Sequence, residues 1–273
     1  MPYIKTKDAA DIYVKDWGSG RPVVLMHGWP LNADSWDDQG YALANAGYRV
    51  IAYDRRGFGR SGQPWAGYDY DTLSDDLADV LEATGARDAT IVGFSMGGGE
   101  VARYMSRHGG RGVIKAGLIS SIVPFVLQTD DNREGVPDAT IESIKEGIRN
   151  DRPNYLATFL QSFYGLGWTT SPVSQEVLDW SLMMAMQAGL KPTLACVDAF
   201  ARTDFRGELA AFTVPTLVIH GTADKTVPTD PTGRAAAAGI AHAQLIEYDG
   251  SPHGLLVTDK DRVTKDLLDF LAR

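Results

Sequence analysis

In the stretch TIVGFSMGGGEVARY (residues 90–104), Ser95 stands between glycines, after an apolar run and before a helix-forming segment. Glycine is a poor helix former, so Gly97, Gly98 and Gly99 in a row carry a cost that a very close neighbour would explain. Gly93, Ser95 and Gly97 match the spacing G-x-S-x-G. On a sharp strand-to-helix turn, that spacing pushes a serine hydroxyl out above a sheet edge. It also sets the free N–H groups of the next helix beside a developing negative charge. The chemistry this serves is attack on a carbonyl carbon through an acyl-serine.

A serine hydroxyl needs a base. Of the five histidines, His108 ends the helix after the serine and His242 lies in the turn-like GIAHAQ. His220 ends an apolar run and reads as a hydrogen-bonded structural residue; His27 ends PVVLMHG and supports the loop beyond it. His253, in DGSPHGLL, falls between the last strand and the last helix, and loops at the carboxyl ends of parallel strands meet over one crevice. His253 is therefore the expected base. An acid must orient it, and in a scaffold of this kind the acid lies between serine and histidine in the chain. Asp224, in HGTADKTVP, is best placed. Asp230 reads as a helix cap, Asp249 is very close in sequence to His253, and Asp204 is the rival.

Acyl transfer also needs two donors for the oxygen that becomes negative. The N–H of Met96, next after the serine, is one. The other is expected from HGWPLNADSW, where Pro30 has no N–H and Trp29 does. Trp29 and Met96 are also expected to line the acyl pocket, and Pro30 is expected among the substrate-binding residues. Pro30 restricts Trp29 and so directs the Trp29 carbonyl, which could accept a hydrogen bond from an attacking nucleophile. Phe125 and Phe159 are the aromatic residues placed at the substrate pocket.

These residues require a scaffold that brings distant loops together. Residues 3–6 and 11–16 read as a hairpin, followed by the apolar strands PVVLMHG, YRVIAYD, ATIVGF and IKAGLISSI. Helices are expected at 34–46, 71–84 and 96–108 between them. That alternation makes an α/β fold with a mostly parallel sheet covered on both faces. The pattern breaks after Pro124. Residues 125–207 show no buried strand but helical stretches at 138–150, 153–163 and 174–188, with many aromatics and methionines. They read as a helical cap inserted between a first core part (1–124) and a second (208–273). The second part holds VPTLVIHG, a helix at 230–238, AQLIEYD and a last helix at 259–271. Phe163, Trp168, Trp180, Met183, Met184 and Met186 belong to the cap core or the pocket wall.

The 273 residues, net charge of −9 and scattered basic residues argue against a nucleic-acid partner. The single cysteine, Cys196, has apolar neighbours and reads as a buried small hydrophobe. No apolar run reaches membrane-spanning length and the N-terminus has no signal-like core, so a cytoplasmic protein without membrane contact is expected. DRRGFGRSG (54–62) lacks the G-x-G-x-x-G spacing for a dinucleotide; Asp54, Arg55 and Gly57 read instead as a rigid loop beneath the site. TDDNREG (129–135) reads as a solvated cap surface, and no metal-ligand spacing is visible.

Together these marks resemble the α/β-hydrolase superfamily, and within it the cofactor-free bacterial haloperoxidases (perhydrolases) and aryl esterases. The tracts DWGSG, HGW, YDRRGFGRS, DYDT, VGFSMGGGEVARY, ARTDFR, VPTLVIHG and PHG carry the likeness over essentially the whole chain. The resemblance implies an eight-stranded α/β-hydrolase sheet, a Ser95-Asp224-His253 triad, and oxyanion amides at Trp29 and Met96. It implies hydrolysis of small carboxylic esters, peracid formation from short acids with hydrogen peroxide, and acyl transfer to alcohols, with no cofactor. Pro30 resembles the perhydrolase version of the HGW loop, where many aryl esterases have a leucine-like residue. Homo-oligomers are common among such relatives. Lactone or carbon–carbon bond hydrolysis by the same triad is the rival chemistry, and a ligand-binding protein on this fold is the non-enzyme rival.

Overall fold

The structure, a computed structural model, describes residues 2–167 and 169–273; Trp168 lies outside them. Strands β1 (Tyr3–Lys5), β2 (Asp11–Gly18), β3 (Pro22–Met26), β4 (Arg49–Tyr53), β5 (Ala89–Phe94), β6 (Val113–Ile119), β7 (Thr216–Gly221) and β8 (Ala243–Tyr248) form the sheet. Among the described residues it has eight strands, ordered β1-β2-β4-β3-β5-β6-β7-β8. The β1–β2 and β2–β4 pairs are antiparallel and the rest parallel.

The continuous apolar runs follow from burial on both faces. In β3, Val24 and Met26 enter one core while Val23 and Leu25 enter the other, the two-residue alternation of a strand. Helices α2 (Tyr70–Thr84) and α3 (Gly97–Arg107) pack on the first face. Helices α1 (Asp37–Asn45) and α9 (Lys260–Ala272) pack on the second. Asp69 caps α2 through the Thr72 amide, and Gly85 ends it in the left-handed conformation at φ 63°. Residues 33–36 ahead of α1 are a 3-10 turn rather than helix, because Asn32 caps that turn through the Asp34 amide.

Between β6 and β7 the chain forms α4 (Asp138–Phe163), α5 (Gln175–Met186) and α6 (Leu190–Arg202). Helix α4 spans both stretches expected there and breaks direction at Asp151, two residues before Pro153. Helix α6 was not anticipated. Its signals are Gly189 before it, Pro192 in its first turn and buried Val197 and Ala201 on one face. Beyond β7, residues 230–234 form a π-type turn leading into α7 (Ala235–Gly239), and α8 (Leu255–Thr258) precedes α9. Asp230 does not cap that segment; it pairs with Arg234 at 2.7 Å. Among the described residues, no helix is long and apolar enough to cross a membrane.

Candidate active site

The turn from β5 to α3 forces Ser95 to φ 53°, a left-handed conformation that costs a non-glycine residue about 1–3 kcal/mol. The glycines make this turn fit. A Cβ on Gly93 would lie 2.3 Å from the Gly97 backbone, and one on Gly97 would lie 2.5 Å from the Met26 carbonyl oxygen. Added carbons at Gly98 and Gly99 would strike Ser121 Oγ and the Tyr70 ring. The run of three glycines is thus the cost of wedging α3 against β3, β6 and α2. Gly93→Ala sets backbone against backbone, which no rotamer change relieves. We expect it to cost about 3 kcal/mol, read as a lowered urea midpoint at unchanged m-value.

Ser95 Oγ is 2.9 Å from His253 Nε2, and His253 Nδ1 is 2.6 Å from Asp224 Oδ2. All three residues are buried. The histidine ring is held between Phe94 and Phe163, whose centroids lie 5.3 and 4.9 Å away. Asp224 Oδ1 accepts from the amides of Thr226 (2.9 Å) and Val227 (2.8 Å). Burial alone would raise the Asp224 carboxyl. The charge of His253, then hydrogen bonds from His220 and His253, outweigh burial and hold it well below the usual carboxylate range.

His220 was read as structural, and its buried ring does more than fill space. Its Nε2 lies 3.0 Å from the Val227 carbonyl and 3.3 Å from Asp224 Oδ2. Its Nδ1 has no partner among the described residues. A single tautomer explains all three facts: Nε2–H donates to both oxygens and Nδ1 is bare. The signal was the i,i+4 spacing in HGTAD. The other histidines lie apart from Ser95. His108 Nε2 meets Asp75 at 2.8 Å and His242 is exposed. His27 Nδ1–H donates to the Gly28 carbonyl, and Nε2 accepts the Arg55 amide at 2.9 Å. Burial and the charge of Arg55 keep His27 neutral. Asp204 is exposed and tied to Arg206, so it does not reach His253; Asp249 instead accepts from Thr222.

Two backbone N–H groups border this triplet, those of Trp29 and Met96. The Gly28 carbonyl accepts from His27 Nδ1 (2.9 Å) and the Leu31 amide (3.0 Å). Because a trans peptide points its C=O and N–H in opposite directions, this anchors the Trp29 N–H the other way. The Ser95 carbonyl is likewise held by the amides of Gly98 (3.0 Å) and Ile122 (3.3 Å), which aims the Met96 N–H oppositely. Among the described residues, neither N–H meets an acceptor. Beneath them Asp54 accepts from Ala33 and Arg60, and Arg55 pairs with buried Glu100, making the rigid loop expected at 54–62.

A cavity of about 210 Å³ opens above Ser95, small beside the roughly 300–1,000 Å³ of drug-sized sites. Trp29 and Phe159 line it, their rings edge to face at 5.3 Å. The Trp29 indole N–H donates to the Thr193 carbonyl in α6, and Phe200 of α6 completes the wall. Phe125, Pro30 and the Met96 side chain do not line it. Phe125 is turned away beneath the Arg206 guanidinium, and its neighbours Ile122 and Val126 face the cavity instead. Pro30 is buried, joined to Trp29 by a cis peptide, and Met96 packs into the first core. Phe163 and Met184 are buried off the cavity, and Met183 is exposed. Ile122, Val126, Ile141 and Val227 were missed because single apolar residues carry no mark of which void they face. Cys196 is buried, its thiol pushed up to about 12 by desolvation.

A serine on a strained strand-to-helix turn, in contact with a histidine held by a carboxylate at the carboxyl edge of a mostly parallel sheet, defines the class of serine hydrolases. Residues 21–260 match the alpha/beta hydrolase fold family. The chain is 45% identical over 275 residues to a non-heme chloroperoxidase of Kitasatospora aureofaciens, with 100% of each covered. It is 39% identical to a bifunctional esterase/perhydrolase of Acinetobacter calcoaceticus, with 99% of each covered. It is similar to the crystal structure of a bromoperoxidase from Bacillus anthracis, at 44% identity and TM-score 0.96 over 99% of each chain. The chain belongs to the α/β-hydrolase family.

Proposed function

We propose that this protein is a serine-dependent acyl-transfer enzyme that hydrolyses small carboxylic esters and, with hydrogen peroxide, makes peracids from short acids or esters. The observation that carries the reading is the unbroken contact chain from Ser95 through His253 to Asp224 at the floor of a small apolar cavity. His253 Nε2 takes the Ser95 proton as Oγ attacks the ester carbonyl carbon. The Trp29 and Met96 amides receive the oxyanion. As the tetrahedral species collapses, the ester C–O bond breaks and the alcohol leaves with the proton from His253. Water, hydrogen peroxide or another alcohol then attacks the acyl-serine and gives its proton to His253, releasing acid, peracid or new ester. Halide oxidation by the peracid needs no protein group, which accords with the non-heme names of the relatives.

Helices α4 to α6 act in this reading as a cap (125–207) on a core made of 1–124 and 208–273. Trp29 and Phe159 shape the acyl pocket. Pro30 acts through the backbone of the Trp29 loop and not as a pocket surface, since it does not line the cavity.

The test is turnover of short and long p-nitrophenyl esters, run beside peracid formation from acetate and hydrogen peroxide. Short-ester turnover with a peroxide-dependent halide signal is the expected result, and no turnover on any ester would overturn the reading. The pH profile provides a second check. With Asp224 held well below the usual range, one proton shuts the site on the acid side. The acid limb of kcat/KM is expected to fall about tenfold per pH unit. A fall near a hundredfold per unit would mean that Asp224 also takes up a proton in that range.

A further inference from the structure

The cavity above Ser95 changes character with depth. Ile122, Val126, Ile141 and Val227 make a buried apolar floor around Ser95 and His253. The outermost lining residues, Thr140, Ser162 and Lys225, are exposed. Lys225 is the one lysine or arginine among the described lining residues, and no aspartate or glutamate lines the cavity with it. The nearest carboxylate in sequence, Asp224, is turned inward, its oxygens taken up by His253, His220 and two amides. Among the described residues Lys225 has no ion-pair partner, although the chain as a whole carries a net charge of −9.

Lys225, an exposed lysine lining an apolar cavity on an acidic protein, offers a cation that no other lysine or arginine of the described lining offers. A carboxylate could not enter the floor without a partner. At the rim it stays partly hydrated beside the ammonium, while the carbon chain and ester group reach Ser95. We infer that Lys225 selects small esters carrying one carboxylate and holds that carboxylate at the rim during attack. The inference rests on the acyl-serine reading above. The bond changes are those already given. The Oγ–acyl bond forms, the ester C–O bond breaks and water later takes the acyl group, with the distant carboxylate unchanged. On the acyl side the substrate is a half-ester of a short dicarboxylic acid; on the alcohol side it is an ester of a short hydroxy acid. The small cavity keeps either one short.

The experiment compares kcat/KM for monoethyl succinate and acetoxyacetate with that for their neutral counterparts, diethyl succinate and ethyl acetoxyacetate. It uses wild type, Lys225→Gln and Lys225→Glu. Lys225 is exposed and unpaired, so neither change disturbs a packed contact. The charged-to-neutral ratio is expected to fall about fivefold in Lys225→Gln and further in Lys225→Glu, chiefly through KM. Raising salt from about 0.05 to about 0.5 M should lower the wild-type ratio and leave that of Lys225→Gln nearly constant. Whichever charged ester responds identifies the side that faces the rim. A ratio unmoved by Lys225→Glu, or a wild type inactive on both charged esters, overturns the inference. Loss of neutral-ester turnover in Ser95→Ala separates the two readings. If that mutant keeps its activity, the acyl-serine reading itself has failed. If neutral turnover depends on Ser95 while the ratio ignores Lys225, only the rim selection has failed.

Discussion

Ser95→Ala is expected to lower kcat on short p-nitrophenyl esters by about 10⁵- to 10⁶-fold. The size of the loss follows from what surrounds the hydroxyl. Oγ is the only side-chain atom removed, and its hydrogen-bond partner is His253 Nε2 at 2.9 Å. Among the described residues, none of the other hydroxyls lining the cavity, on Thr140, Tyr155, Ser162 and Thr226, is hydrogen-bonded to a histidine as Ser95 is. Alanine keeps a Cβ at the same strained φ, so the turn is neither relieved nor crowded, and the mutant should fold as the wild type does. Single-turnover kinetics on the purified mutant, with circular dichroism as a folding control, make the measurement. Activity within tenfold of wild type would remove the acyl-serine mechanism.

Asp224→Asn is expected to lower kcat by about 10⁴-fold, the scale known for this change in other serine triads. The geometry shows how. Oδ1 accepts the Thr226 and Val227 amides, so the asparagine oxygen must take that position and leave its NH₂ where Oδ2 was. The NH₂ then faces His253 Nδ1 and His220 Nε2, both of which donate to Oδ2 in the wild type. Two donors cannot share one bond. The His253 ring relieves the conflict by moving its proton to Nε2, which turns its bare nitrogen away from Ser95 and removes the base. The mutant should therefore show normal KM with collapsed kcat, measurable on one short ester. Asp204→Asn, at an exposed carboxylate bound to Arg206, is the control and should change kcat less than twofold. A comparable loss in the control would return the acid's role to Asp204.

The parts of this site that the sequence made legible are those with a covalent or periodic signature. The glycines around Ser95 are readable because a turn this tight excludes a Cβ wherever it meets another backbone. The buried strands are readable because a sheet covered on both faces needs unbroken apolar runs. His253 and Asp224 followed from the rule that parallel strands gather their carboxyl-end loops over one edge. The break at Pro124 announced a change of architecture, though α6 was missed, since its proline sits in the first turn, where a missing N–H costs nothing.

The tertiary structure decided what depends on direction rather than on identity. Phe125 and Phe159 looked equivalent as cap-region aromatics, yet one lies under Arg206 and the other faces Ser95. A two-residue difference in helical or loop phase turns a ring from cavity to core. His220 reads from the sequence as a hydrogen-bonded structural histidine, and only the fold shows that its Nε2 partners are the Val227 carbonyl and Asp224. Lys225 carries no mark in the sequence, and only the fold sets it in the lining of an apolar cavity with no acid among the described lining residues. Sequence by itself pointed to Ser95, His253 and Asp224, which the fold brings into contact, and to the sheet that carries them, because the turn at Ser95 and the buried strands are bound to local backbone geometries with few solutions. Which side chains enclose the substrate, and what charge it meets at the rim, were settled only by packing, since contacts across α4, α6 and the β7–α7 loop have no fixed spacing along the chain.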